Sequence, residues 1–245
     1  MSQDPHKRKK KRDTQRKHAG RMKSRPLFLA STPSSSIPPI SFINQSMSNN
    51  RFVTMKGKNV EINLSQSRVK CITRVAEHFS SKHKDIHFLN LSQNTLTSLP
   101  EWFRLDSIRS LSLYWNNLTQ LQVTQSMKNL VELNLSHNRL NVFPGPDPLS
   151  CMPSIKRLYL NNNAITAIPP SSIDILKKTS IAELNVAYNK ISSLPVEIGQ
   201  LSSLEHLNIS DNELEEMPTT ILLLNLLLKS PDCFNVQRNK LHSPP

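Results

Sequence analysis

The chain has 245 residues and a formal net charge of +13, with three cysteines and four glycines. That length holds one domain and a tail. Cys71, Cys151 and Cys233 are an odd, scattered set that excludes a disulfide framework. Gly20, Gly57, Gly145 and Gly199 stand apart, which excludes glycine-rich phosphate loops. The most apolar stretch, from Ile221 to Leu228, is broken by Asn225 and falls far short of the ~20 residues that cross a bilayer.

Residues 1–26 hold 11 Lys/Arg against two acids, whereas residues 27–245 hold 20 against 16, so the basic character belongs to the tail. The run Lys7, Arg8, Lys9, Lys10, Lys11, Arg12 resembles a nuclear localisation signal. It also has the composition of a nucleic-acid arm or of a solvated tail, and it contains no aromatic residue on which a base could stack. Residues 27–50 are rich in Ser, Pro and Asn, and no acid occurs between residues 14 and 60. Such a segment cannot bury enough apolar area to offset its ordering entropy, so 1–50 is expected to be disordered and 51–245 to form the folded domain. No early apolar run resembles a secretory signal, and the reading is an intracellular protein, cytoplasmic or nuclear and not secreted.

From residue 62 an eight-residue frame repeats. Leu89-x-Leu91-x-x-Asn94-x-Leu96 returns with Asn116, Asn138, Asn163, Asn189 and Asn212 in the asparagine slot. A degenerate copy leads with Ile62 and places Ser67 in that slot, and another leads with Phe234 and ends on Asn239 and Leu241. Successive units are 22 to 27 residues apart, the signature of about eight stacked repeats. The alternation predicts a short strand with its leucines facing inward. The asparagine must turn the chain where backbone groups would otherwise be buried unpaired, so these side chains are expected to stack as a structural ladder. The return segment, clearest in Leu194-Pro195-x-x-Ile198-x-x-Leu201-x-x-Leu204, is apolar every third residue and suits a short helical or 3₁₀ turn. Pro144-Gly-Pro-Asp-Pro148 reads as a rigid loop on that side.

These residues resemble the leucine-rich repeat family over about 60–245. The Leu99-Pro100 and Leu194-Pro195 pairs are similar to its intracellular class of 22–24-residue units, which includes Ras-pathway and cell-polarity scaffolds and regulators of protein phosphatase 1. The resemblance implies an α/β solenoid, curved, with a parallel sheet on its concave face and short helices or 3₁₀ turns on its convex side, used for protein binding. The strand positions here are unusually rich in Asn, Ser and Tyr, and no family member's partner contacts map onto them.

The positions between and after the strand leucines point out of the expected concave sheet. All three tyrosines of the chain fall in this set, with one of its two tryptophans. Aromatics with a polar tip and arginine dominate binding hot spots, so Tyr114, Trp115, His137, Arg157, Tyr159 and Tyr188 form the candidate partner-binding patch. The function expected is a non-catalytic adaptor or regulatory subunit in intracellular signalling. The alternative is a nuclear ribonucleoprotein or chromatin component whose tail contacts nucleic acid. His78, His83 and His87 cluster, but His87 enters the first clear strand, so helical i, i+4 ligand geometry and a metal site are not expected, and no cofactor, catalytic residue or membrane contact is read. Asn90-Leu-Ser92 and Asn134-Leu-Ser136 match the glycosylation pattern but fall out of the repeat itself, and Leu223 to Leu227 reads as repeat core rather than as a helical recognition motif.

Overall fold

Alternating leucines in each frame form a strand of two to five residues, and the strands stack in chain order. The computed structural model describes residues 53–56, 59–70, 86–99, 106–224 and 231–242. The basic run at 7–12, the whole of 1–50, Cys71, His78, His83, Leu226 and Leu227 lie outside the described residues.

Nine strands make one sheet: β1 (Val53–Lys56), β2 (Asn59–Asn63), β3 (Ile86–Asn90), β4 (Ser110–Ser112), β5 (Glu132–Asn134), β6 (Arg157–Tyr159), β7 (Glu183–Asn185), β8 (His206–Asn208) and β9 (Phe234–Asn235). From β2 to β9 every pairing is parallel, with one register shift between Val60 and Glu61 where β2 meets β3, and from β3 on equivalent slots face each other without offset, as in Leu89↔Leu111 and Leu133↔Leu158. Each slot of the frame therefore becomes a straight row of side chains ~4.8 Å apart across the sheet. β1 departs from the repeat. It runs antiparallel to β2, with Val53 opposite Ile62, and covers an edge that would otherwise offer unpaired backbone groups.

The inward rows build the core. Leu91, Leu113, Leu135, Leu160, Val186 and Ile209 are all at 0% exposure. Burying one such side chain fully contributes about 1.5–3 kcal/mol. The opposite layer consists of short turns: helix α1 (Pro146–Ser150), helix α2 (Pro170–Leu176), and 3₁₀ turns at Val196–Gln200, Thr219–Leu223 and Pro231–Cys233. Ile198, Leu201 and Leu204 close the core from that side.

Pro144 to Pro148 is not a loop throughout, as its composition suggested. Pro146 opens α1, a position where its missing N–H is one of the orphan donors anyway, and Leu149 anchors the turn in the core. The 3₁₀ turns approach most closely at Gly199, where an added Cβ would lie 2.3 Å from the carbonyl oxygen of Thr220. In the segment read as core from Leu223 onward, Leu224 is buried and Leu223 is exposed, because a 3₁₀ turn buries only its third-residue stripe.

Candidate protein-binding face

Two asparagine rows hold the turns after the strands. In the first, the side chain belongs to the conserved slot of the frame. Asn189 Oδ1 accepts from the N–H of Ile165 in the preceding unit (3.0 Å), while its Nδ2 donates to the carbonyls of Leu160 (3.0 Å) and Val186 (2.9 Å). Asn94, Asn116, Asn138, Asn163, Asn212 and Asn239 make the equivalent bonds, so each one stitches its own unit to the unit before it.

The second row lies on the open face of the sheet, and its role is not apparent from composition. Asn63, Asn90, Asn134, Asn185, Asn208 and Asn235 each accept, through Oδ1, the N–H of the residue two positions on, at 2.9 to 3.2 Å. This is a local staple of the Asx type. The stapled partner is Ser or Ala in five of the six units, and Ser92, Ser136, Ala187 and Ser210 are buried. Those four positions were read as pointing outward, and the staple turns them in. Among the described residues, two units lack the bond: Ser112 and Tyr159 occupy the asparagine position, with Tyr114 and Asn161 two residues on.

The residue before the first-row asparagine has a left-handed backbone in every unit. Gln66, Gln93, Trp115, His137, Asn162, Tyr188, Asp211 and Arg238 all have φ between 53° and 57°. A non-glycine residue costs of order 1 kcal/mol in this region. The sheet hydrogen bonds continue through it, for example from the Trp115 N–H to the Ser136 carbonyl (3.0 Å), and they offset that cost. The turn lifts this row of side chains to the rim of the open face.

The predicted patch divides into three groups. Tyr114, Trp115 and His137 form one aromatic cluster. The Trp115 and His137 rings are nearly parallel at 5.3 Å, and Tyr114 meets both edge-on, at 5.9 and 5.0 Å. Arg157 and Tyr159 form a polar group with two residues the patch omitted. Arg157 Nε and Nη2 lie 3.0 and 2.9 Å from Glu132 Oε2, and the Tyr159 hydroxyl donates to Glu183 Oε2 (2.8 Å). Glu132, Arg157 and Glu183 occupy one slot in three successive units and face each other in register, a signal readable by comparing the units. Burial, with the Glu183 hydrogen bond next, pushes the Tyr159 phenol above its ordinary range. Tyr188 stands apart from these, beside Asp211 and Arg238. Arg238 Nη1 lies 3.0 Å from Asp211 Oδ1 and 3.4 Å from the Tyr188 hydroxyl.

Trp115 is 56% exposed, Tyr188 50% and Phe88 37%, and they are the exposed aromatics among the described residues. No group of three or more metal-ligating side chains occurs among the described residues, and none of their helices is long and apolar enough to cross a membrane.

Comparison with known proteins gives the same architecture. Leucine rich repeat profiles match residues 153–214 and 203–226, and a two-copy leucine rich repeat profile matches 128–175. Keratocan of Gallus gallus is 32% identical over 110 residues, covering 42% of this chain and 30% of that protein. Podocan-like protein 1 of Mus musculus is 38% identical over 112 residues, covering 44% of this chain and 19% of that protein. The leucine-rich repeat serine/threonine-protein kinase 1 of Mus musculus is 29% identical over 150 residues, covering 58% of this chain and 7% of the kinase. The matches thus span less than a third of these relatives. A solved leucine-rich repeat protein of Leptospira interrogans aligns with 74% of this chain and 55% of its own, at 23% identity and a TM-score of 0.41. The repeated frame, the parallel one-unit-per-strand sheet and the three profile matches, which together span residues 128–226, show that this chain carries leucine-rich repeats.

Proposed function

We propose that this chain is a non-catalytic adaptor or regulatory subunit that captures a partner protein on the open face of β4–β7, in an intracellular signalling setting. Leucine-rich repeat domains generally mediate protein–protein interaction. One observation carries the reading: Tyr114, Trp115 and His137 form one aromatic cluster on the open face, with the Trp115 ring exposed. Large aromatics that leave water on association are the usual source of binding energy, and each anchor contributes about 2 kcal/mol or more. Cys151 and Cys233 are free thiols, which suits a reducing compartment.

The test uses substitutions the fold already tolerates in the same slots. Trp115→Asn places there the residue type found at position 162, and Tyr159→Asn restores the staple used by six other units. Affinity capture with nuclease treatment, read by mass spectrometry, is expected to lose partners in the double variant while its thermal stability is kept. Capture that survives the double variant, or that disappears on nuclease treatment alone, would reject the adaptor reading.

A further inference from the structure

The repeats of one chain serve as an alignment of that chain with itself. Six units keep the second-row asparagine and its staple, and two replace it: β4 with Ser112 and Tyr114, β6 with Tyr159 and Asn161. Each replacement gives up a stabilising hydrogen bond. Residues kept at a cost in stability are the ones expected to do something other than fold. The two departures flank β5, where the Trp115–His137 stack also lies.

At Tyr159 the local charge has a sign. Around its hydroxyl lie Glu183, Glu132 and Arg157. Arg157 is engaged by Glu132, and Glu183, flanked in register by Arg157 and His206, accepts the hydrogen bond of the Tyr159 hydroxyl. The three charges sum to −1 in a half-buried setting, where a charge is screened less than at the open surface. The domain around it is close to neutral, as residues 27–245 carry 20 Lys/Arg and 16 acids.

Resting on the adaptor reading, we infer that the partner inserts a basic side chain, arginine or lysine, against Glu183 and Tyr159, with its neighbouring residues lying over Trp115 and His137. A cation there meets Glu183 beside His206, which faces it from β8. The carboxylate keeps a free lone pair for it beside the one that receives the tyrosine proton. The Tyr159 ring beside Glu183 suits the apolar stem of such a side chain.

A displayed library of random dodecapeptides, selected on the full chain and in parallel on Trp115→Asn/Tyr159→Asn and on Glu183→Gln, tests this. Glutamine keeps an acceptor for the tyrosine hydroxyl and removes only the charge. The expected result is a set of peptides that require the patch, are enriched in Arg or Lys, and bind Glu183→Gln about tenfold more weakly, the loss of one charge-assisted hydrogen bond. Patch-dependent peptides that are acidic, drawn by the exposed Arg109, Arg139, Lys156 and Lys190, overturn the inference and leave the adaptor reading standing. Patch-dependent peptides indifferent to Glu183→Gln do the same. A library with no patch-dependent peptide overturns both.

Discussion

Asn189→Ala removes more than a surface amide. Its Oδ1 is the acceptor that the Ile165 N–H uses, so the substitution leaves that buried donor unpaired at a cost of about 1–3 kcal/mol. Its Nδ2 bonds to the Leu160 and Val186 carbonyls are lost as well, but those oxygens keep second donors in Asn163 and Asn212, each at 2.9 Å. The carbonyl losses thus stay near 0.5 kcal/mol apiece, and the whole change is about 3 kcal/mol. Asn185→Ala, four residues away on the open face, loses one part-buried bond to the Ala187 N–H and costs about 0.5–1 kcal/mol. Urea unfolding followed by circular dichroism measures both, with an unchanged m-value as the check that only stability moved. Asn189→Asp keeps the acceptor but turns a buried carboxylate oxygen toward the Leu160 and Val186 carbonyls, and that repulsion with the desolvated charge is expected to destabilise as much as alanine does. Equal costs for Asn189→Ala and Asn185→Ala, or a cost below about 1 kcal/mol for Asn189→Ala, would refute this account of the two rows.

Two further outcomes follow from local geometry. Gly199→Ala drives a methyl group into the backbone of Thr220 and is expected to cost about 1–3 kcal/mol, measured by the same unfolding midpoint. Tyr159 holds its proton in the folded chain beyond the ordinary phenol range, whereas the unfolded chain ionises near pH ~10. Its contribution is therefore complete below that pH and is lost as pH rises above it. Unfolding midpoints across the alkaline range should fall less steeply for Tyr159→Phe than for the native chain.

The frame made the strands, their inward leucines and the first asparagine row legible, because each depends on a residue recurring at fixed spacing. What escaped depends on relations between units or on unusual conformers. Val53 to Lys56 has no frame, so its antiparallel pairing with β2 left no periodic trace. The second asparagine row was visible as Asn-x-Ser, yet the same letters spell a glycosylation pattern, and only the geometry shows the serine N–H on the asparagine oxygen. The left-handed row was hidden because glutamine, tryptophan, tyrosine and arginine in that slot do not announce the conformation, and His137, Asn162 and Asp211 carry it in only three of eight units. Glu132 and Glu183 were passed over beside the aromatics, although their place in the same slot as Arg157 fixed the ion pair once the register was known.

Hydrogen–deuterium exchange of the chain with and without its captured partner separates a binding role for the open face from the stabilising role of the asparagine rows and the leucine core. New protection is expected at residues 110–115, 132–137, 157–162 and 183–188. Protection confined to α1, α2 and the 3₁₀ turns on the opposite side, or to residues 7–12, would contradict that binding role.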